Sequence, residues 1–147
     1  MKNKELGHIV LYVRNLEISA NFYRDTLGFT EIQRRPGAAV FSSGRTHHEM
    51  LLLEIGNVPL PNRHQIQPGL YHIGFKIGDS TEELKQALQE LTKKGVPIVG
   101  TADHTVTHSL YILDPDENEL ELYVDVNDAW KTNPRLILEP TKRLNLE

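Results

Sequence analysis

Two histidines of this 147-residue chain stand in matching sequence contexts. His8 lies in the stretch Leu-Gly-His-Ile at residues 6–9, and His72 lies in Leu-Tyr-His-Ile at residues 70–73. Each copy also ends in an apolar stretch that carries a carboxylate, Glu54 in the first copy and Glu121 in the second. Imidazole nitrogens and carboxylate oxygens are ligands of divalent transition metals, so their recurrence predicts a metal site.

The composition narrows the chemistry and the partners of such a site. There is no cysteine, which excludes disulfides, thiolate ligands and a cysteine nucleophile together. A net charge of −4 argues against a nucleic-acid partner. No apolar run approaches the roughly 20 residues of a membrane helix, and residues 1–5 lack the apolar segment of a signal peptide. We therefore expect a cytoplasmic protein that does not contact a membrane.

Hydrophobic periodicity predicts the same order of elements twice. Residues 6–13 alternate as a half-buried strand, and Asn15 caps a helix that runs to Leu27. In the second copy Ser80 and Glu83 form a capping box for a helix that is closed by Gly95. Further strands are predicted near residues 29–34, 38–43, 48–55, 70–77, 97–100, 108–113 and 119–125.

The predicted fold is α+β, with two βαβββ modules that form a cupped mixed sheet and helices on its outer face. The modules cover about residues 6–55 and 70–125, and a proline-rich linker at 56–69 joins them. With the tail at 126–147 they fit a single domain of ordinary size, 1–147. The tail contains an apolar segment at residues 136–138, which we expect to dock on a neighbouring surface.

Strand parity predicts which side chains face the cup. Aliphatic residues alternate with His72 and with Glu121, so both of these side chains should face away from the helices. By the same parity His48 and Glu54 should face the cup, and His47 should face away. Each of these residues alone is more often an ordinary half-buried histidine or a solvated glutamate. The recurrence in two copies favours the metal site.

The chain resembles the vicinal oxygen chelate superfamily, whose members are built from paired βαβββ modules, from about residue 6 to residue 130. The resemblance rests on Gly-His-Ile-Val at 7–10, Ala-Asn-Phe-Tyr-Arg-Asp-Thr-Leu-Gly-Phe at 20–29, Tyr-His-Ile-Gly-Phe at 71–75 and Leu-Asp-Pro-Asp-Glu-Asn-Glu-Leu-Glu-Leu-Tyr at 113–123. Two departures are a Val-Asn pair at 126–127, where the family usually has Arg-Pro, and Glu117, where it usually has glycine. A glutamate there implies a left-handed backbone at a cost of about 1 kcal/mol.

Within the superfamily the chain looks closest to type I extradiol dioxygenases of the catechol 2,3-dioxygenase kind. The features are the pair His47-His48, the Asp103-His104 stretch leading to Tyr111, and the Tyr-Val-Asp ending followed by Trp130.

This resemblance implies an enzyme that cleaves an aromatic vicinal diol with O2. It implies that His8, His72 and Glu121 bind Fe(II), or alternatively Mn(II), and that His48, Tyr111 and His104 are catalytic. A hairpin turn centred at Asp116 should place Tyr111 opposite Glu121. We also expect a homodimer.

Two other readings stay open. A lyase similar to glyoxalase I would use His8, Glu54, His72 and Glu121 to bind Zn or Ni and would act on a glutathione hemithioacetal. A binding protein of the bleomycin-resistance kind would use the same cup without a metal. The dioxygenase is favoured because glyoxalase chemistry requires neither the histidine pair nor the Asp-His stretch that leads to Tyr111.

Overall fold

The computed structural model describes residues 1–60, 62 and 65–146. The chain divides into two compact units, Met1–Gln65 and Ile66–Glu147. The boundary falls within the predicted linker at 56–69, of which residues 61, 63 and 64 lie outside the described residues. That residues 1–147 form a single domain stays a prediction.

The first unit has the predicted βαβββ order. Its sheet runs β1-β4-β3-β2, with β1 parallel to β4 and the other neighbours antiparallel. Helix α1 continues into a π-helical turn at Phe22–Thr26. The helix and the turn together cover the single helix that was predicted up to Leu27. The elements are β1 (Ile9–Val13), α1 (Leu16–Asn21), β2 (Thr30–Arg35), β3 (Ala38–Ser42) and β4 (Met50–Glu54).

The second unit repeats this arrangement with a longer helix. Its sheet runs β5-β8-β7-β6, with β5 parallel to β8 and β6 at the edge. Among the described residues, no helix is both long and apolar enough to cross a membrane. The elements are β5 (His72–Gly78), α2 (Thr81–Lys93), β6 (Ile98–Asp103), β7 (Thr107–Leu113) and β8 (Glu119–Asp125), followed by short 3₁₀ turns at Ala129–Lys131 and Pro134–Leu138.

The helices begin where the sequence predicts. Asn15 accepts a hydrogen bond from the backbone N–H of Ile18 through its side-chain oxygen, which satisfies a free donor at the start of α1. At α2 the Ser80 hydroxyl accepts from the N–H of Glu83, while the Glu83 carboxylate accepts from the N–H of Asp79. Gly95 follows α2 with a φ of 72°, the left-handed conformation in which glycine has no steric penalty.

In each unit the helix packs on one face of the sheet, which confirms the α+β class and the duplicated βαβββ order as two four-stranded sheets. Each core is a layer of large apolar side chains between helix and sheet, and its burial is the main source of stability. The fully buried members are Val13, Tyr23, Phe41, Met50 and Leu52 in the first unit, and Leu84, Leu110, Ile112, Leu120 and Val124 in the second.

Strand β4 buries the face that was predicted to line the cup. Met50 and Leu52 are fully buried, and Leu52 is paired in parallel register with Leu11 of the core. The prediction that even-numbered residues of β4 face the cup is therefore wrong. Residues 50–53 are all apolar, so their alternation carries no signal about which face is buried.

Truncating Leu84, the fully buried residue in the first turns of α2, tests the core of the second unit. We expect Leu84→Ala to lower the free energy of unfolding by about 3 kcal/mol, because it leaves a cavity beneath the helix. Gln86→Ala on the exposed face of the same helix should change it by less than about 0.5 kcal/mol. Urea unfolding followed by circular dichroism measures both, and equal effects would contradict the assigned helix face.

Candidate functional site

The pairing of β5 with β8 brings together a histidine and a glutamate that are far apart in sequence. Gly74 of β5 is the register partner of Glu121 of β8. His72 lies two residues before Gly74, on the same face of the sheet. The Nε2 atom of His72 lies 3.1 Å from Oε2 of Glu121. This is the pair that parity placed on the cup side of the second sheet.

The Glu121 carboxylate is held in one orientation by its cross-strand neighbours. Its Oε1 atom accepts hydrogen bonds from the Ser109 hydroxyl at 2.6 Å and from the Tyr111 hydroxyl at 3.2 Å. These bonds leave Oε2 directed at His72. Ser109 was not among the predicted site residues, although it lies two residues before Tyr111 and therefore on the same strand face.

Tyr111 and His104 extend this arrangement. Tyr111 is the register partner of Glu121, as the predicted hairpin requires. Nε2 of His104 lies 2.8 Å from the Tyr111 hydroxyl oxygen. Because that hydroxyl donates to Glu121, the nitrogen of His104 that faces it must carry the proton. His104, Tyr111, Glu121 and His72 thus form a continuous series of contacts, which we call the polar series.

Tyr111 is held in its neutral form. Burial of the ring, followed by the negative charge of Glu121 beside its hydroxyl, raises the pKa of Tyr111 well above its ordinary value of 10. The hydroxyl therefore keeps its proton at neutral pH and acts as a donor.

The hairpin that sets this register contains the predicted left-handed residue. Glu117 has a φ of 62°, which confirms the expectation for a glutamate in place of glycine. Buried Asp114 supports the turn, because its carboxylate accepts from the N–H groups of Asp116 and Asn118 at 2.9 and 2.8 Å. The turn thus keeps its register despite the strained residue.

A second strained turn carries His104. Thr105 has a φ of 73°, and the N–H of Val106 bonds back to the carbonyl of His104 at 2.8 Å. This is the γ-turn with positive φ, which is rare because it is strained. Asp103 stabilises it by accepting from the N–H of Thr105 at 2.6 Å. A β-branched residue in this conformation costs on the order of 1–3 kcal/mol, so the surrounding contacts must fix the turn.

The polar series lines a cavity of about 530 Å³ within the second unit, a size typical of small-molecule sites. Val106, Trp130 and Ile137 supply an apolar wall, and the last two come from the tail. Asp125 also lines the cavity, and it accepts a hydrogen bond from Lys76 Nζ at 2.6 Å. The cavity therefore has one end rich in hydrogen-bonding groups and an apolar side that suits a flat ring.

The first unit holds a cluster of three histidines. The ring of His48 lies 4.5 Å from those of both His8 and His47, measured between centroids. The Nδ1 atoms of His47 and His48 are 2.6 Å apart, so the prediction that these two side chains face opposite ways is wrong. They precede the first residue of β4, where the alternation of strand side chains does not apply.

His48 is kept neutral by this cluster. Burial, and then the neighbouring His8 and His47, lower the pKa of His48 below its ordinary value of 6.5. A neutral imidazole has a nitrogen lone pair that can accept a proton.

Glu49 anchors the loop that carries His47 and His48. Its carboxylate accepts hydrogen bonds from the N–H groups of Ser43, Arg45 and Thr46 at 2.7, 3.0 and 2.9 Å. Burial acts to raise its pKa, but the Ser42 hydroxyl and then these backbone bonds prevail and bring it down from 4.5 to about 2. The guanidinium of Arg45 also donates to the carbonyls of residues 6 and 7, which fixes the chain just before His8.

Glu54 is not the register counterpart of Glu121, so the expectation that the two glutamates stand at matched positions is wrong. In the second unit Glu121 pairs with Gly74, which lies two residues after His72. The equivalent residue of the first unit, two after His8, is Val10, and it pairs with Leu51. Glu54 pairs instead with Val13, at the far end of β4. Its Oε2 accepts from the N–H of Leu16 at 2.7 Å, where a negative charge stabilises the N-terminus of α1.

The predicted ligands are thus divided between the units, with His72 and Glu121 in the second and His8 in the first. Within the described residues, no group of three or more histidine or carboxylate side chains is arranged to hold a metal ion. The donors of the second unit nevertheless suit a divalent metal, since they are an imidazole nitrogen and a carboxylate oxygen with an orienting hydrogen bond.

Residues 5–122 match the family described as the Glyoxalase/Bleomycin resistance protein/Dioxygenase superfamily. The chain is 34% identical over 125 residues to a catechol-2,3-dioxygenase of Bacillus subtilis and 32% identical over 120 residues to biphenyl-2,3-diol 1,2-dioxygenase 3 of Rhodococcus globerulus. These alignments cover 84% and 82% of this chain but only 42% and 63% of the two relatives. The chain thus spans less than two thirds of the length of these curated relatives.

Relatives with other names are also similar. The metallothiol transferase FosB of Staphylococcus haemolyticus is 30% identical over 122 residues, covering 82% of this chain and 83% of the relative. Among solved structures, a glyoxalase/dioxygenase from Nostoc punctiforme aligns with a TM-score of 0.71 at 20% identity, covering 84% of this chain and 92% of the other. A lactoylglutathione lyase from Agrobacterium tumefaciens aligns with a TM-score of 0.62 at 21% identity, covering 84% and 96%. These structural matches establish the fold.

Replacing Glu49 tests the anchor of the histidine loop. Because its pKa is depressed, Glu49 contributes stability above pH 4.5, and this contribution is lost as the pH falls towards 2. We expect Glu49→Gln to lower the free energy of unfolding by about 2 kcal/mol at neutral pH and to flatten its acid dependence. Urea unfolding measured from pH 2 to pH 7 checks this, with Glu90→Gln on exposed helix surface as the control of equal charge change. An unchanged acid profile would refute the anchoring role.

Replacing Glu54 tests whether its carboxylate binds a metal or caps helix α1. We expect Glu54→Ala to lower the free energy of unfolding by about 1 kcal/mol, because the N–H of Leu16 loses its acceptor. Bound metal, measured by mass spectrometry after reconstitution, should stay at the wild-type stoichiometry. Loss of metal at unchanged stability would instead support the four-ligand set of a lyase.

Proposed function

This chain belongs to the Glyoxalase/Bleomycin resistance protein/Dioxygenase superfamily, and from that premise we propose that it is a metal-dependent extradiol dioxygenase that cleaves an aromatic vicinal diol with O2. Two dioxygenases that act on such diols by name are among its relatives. The observation that carries the proposal is the polar series, in which His104 and Tyr111 lead to the Glu121–His72 pair.

The proposed metal is Fe(II), or alternatively Mn(II), and its proposed ligands are His72, Glu121 and His8. Two histidines and one carboxylate suit these metals and leave coordination positions open. When bound, the metal would supply the redox chemistry through which dioxygen reacts with the diol ring.

The surroundings of His72 and Glu121 support their role as ligands. Ser109 and Tyr111 donate to the Oε1 atom of Glu121, and such bonds fix the direction of a ligating carboxylate. The Nδ1 atom of His72 is buried and has no hydrogen-bond partner among the described residues. The nearest carboxylate is that of Glu119, with Oε1 at 3.8 Å. A slight approach would create the imidazole–carboxylate contact that usually orients a histidine ligand.

The cavity orients the proposed substrate. The hydroxyl groups of a diol would face the polar series, and the ring would lie against Val106, Trp130 and Ile137.

The remaining side chains would hold or move protons. Neutral His48 would take a proton from a diol hydroxyl through Nε2, with its Nδ1–H directed at Nδ1 of His47, 2.6 Å away. Tyr111 stays protonated, and its single hydroxyl proton would turn from Glu121 to donate a hydrogen bond to an oxygen atom of the substrate. His104 would hold the Tyr111 oxygen in place with a hydrogen bond from Nε2–H.

The lyase alternative, with Zn or Ni, is less well supported by the site. Its fourth ligand would be Glu54, whose carboxylate already binds the start of α1. A metal-free binding protein leaves the orientation of Glu121 and the buried nitrogen of His72 without a purpose. A homodimer also remains part of the proposal.

Oxygen uptake tests the proposed reaction. Protein reconstituted anaerobically with Fe(II) should consume O2 in step with the appearance of a yellow ring-opened product when it is given a panel of catechols. His72→Ala and His48→Ala should each lower the rate at least a hundredfold, because they remove a ligand and a base.

His108→Ala is the matched control. His108 contacts Thr81 and does not line the cavity, so its removal should preserve ring cleavage. Wild-type rates of ring cleavage in the His72 and His48 variants would contradict the proposal. Protein that holds metal but takes up no oxygen would favour the lyase.

A further inference from the structure

Residues 141–146 cover the outer edge of the second sheet, at strand β6, next to His104. Lys142 exchanges two backbone hydrogen bonds with Asp103 of β6, at 2.9 and 3.0 Å. The Thr101 hydroxyl donates to the carbonyl of Leu144 at 2.8 Å. Leu146 is buried, with 6% of its surface exposed. We call residues 141–146 the tail segment.

The tail segment reaches both the His104 side chain and the strained turn beneath it. The Thr141 hydroxyl lies 3.3 Å from Nδ1 of His104. Lys142 Nζ lies 3.3 Å from the Thr105 hydroxyl, and the Asn127 side-chain amide donates to the Thr105 carbonyl at 2.9 Å. His104 is therefore contacted on one ring nitrogen by Tyr111 and on the other by the tail segment.

We propose that the tail segment positions His104, with Thr141 as the residue that fixes its tautomer. This inference rests on the proposed function only for the role of His104 in ring cleavage. Thr141 does not line the cavity, so it is a positioning residue.

The direction of each hydrogen bond in the series determines the tautomer. Tyr111 donates to Glu121, so the Tyr111 oxygen accepts from Nε2–H of His104. A neutral imidazole with a proton on Nε2 has a lone pair on Nδ1, and Thr141 supplies a hydroxyl donor for it. Without that donor the two tautomers compete, and the form with a proton on Nδ1 presents no donor to Tyr111.

The strain in the turn explains why such a segment is needed. The γ-turn at Thr105 is costly by itself, and the antiparallel pair at Asp103 and Lys142 fixes the residue just before His104. The same pairing shields the edge of β6, which otherwise exposes unpaired backbone groups.

The first test reads the tautomer directly in the metal-free full chain. In ¹⁵N-histidine-labelled protein at alkaline pH, long-range ¹H–¹⁵N spectra should show His104 with its proton on Nε2; His104→Gln identifies its signals. Thr141→Val should give a mixture of tautomers, whereas Thr141→Ser should restore the wild-type pattern. A pure Nε2–H form in Thr141→Val, or no recovery in Thr141→Ser, would overturn the role of Thr141.

The second test uses a pair of neighbouring prolines. Lys142→Pro removes the N–H that bonds to Asp103, so the turn should loosen and the His104 signals should broaden or shift. Arg143→Pro is the control, because no described residue accepts a hydrogen bond from its backbone N–H. Equal spectra for the two proline variants would overturn the positioning role of the segment.

Activity gives a third measurement that separates this inference from the proposed function. If ring cleavage is found, Thr141→Val should lower kcat about fivefold with little change in KM, as expected for one lost hydrogen bond behind Tyr111. A changed KM at constant kcat would contradict positioning. If the wild type cleaves no catechol while the tautomer still depends on Thr141, the proposed function fails and the positioning of His104 stands.

Discussion

The orientation of the Glu121 carboxylate is the constraint on which the rest of the site depends. One oxygen is occupied by two hydroxyl donors, and this leaves the other oxygen for His72. Tyr111 donates as a neutral hydroxyl, and burial with the adjacent charge raises its pKa further above its ordinary value. His104 in turn has one ring nitrogen committed to Tyr111. Each group therefore limits the protonation state of the next.

Much of this arrangement follows from the sequence. The duplicated element order, the helix caps and the register that pairs Tyr111 with Glu121 were all predictable, because caps, periodicity and hairpin turns are local signals. Glu117 shows how local they are, since its left-handed conformation is required by the turn alone. The His72–Glu121 contact also follows, once parity assigns both side chains to the same face.

The failures have a different physical origin. Strand β4 is apolar at four successive positions, so only tertiary packing decides which face is buried. His47 and His48 lie in a loop, where the backbone follows the bonds to Glu49 and no periodic rule applies. Glu54 resembled Glu121 because both follow apolar residues, but pairing between distant strands placed it at α1. The contacts of the tail segment have no periodic signal either, since they depend on side chains far apart in sequence.

The parallel pairing of β5 with β8 has a consequence for how the site comes into being. These strands begin and end the module of the second unit, so the contact between His72 and Glu121 closes a loop that contains the intervening helix and hairpins. Closing so long a loop has an entropic cost that the local hairpin of β7 and β8 does not have. A chain that has formed only its local structure thus has Tyr111 opposite Glu121 but lacks the imidazole. The two donors of the proposed metal site are consequently both in place only in the completed unit, and a metal bound there would favour the folded state over partly folded ones.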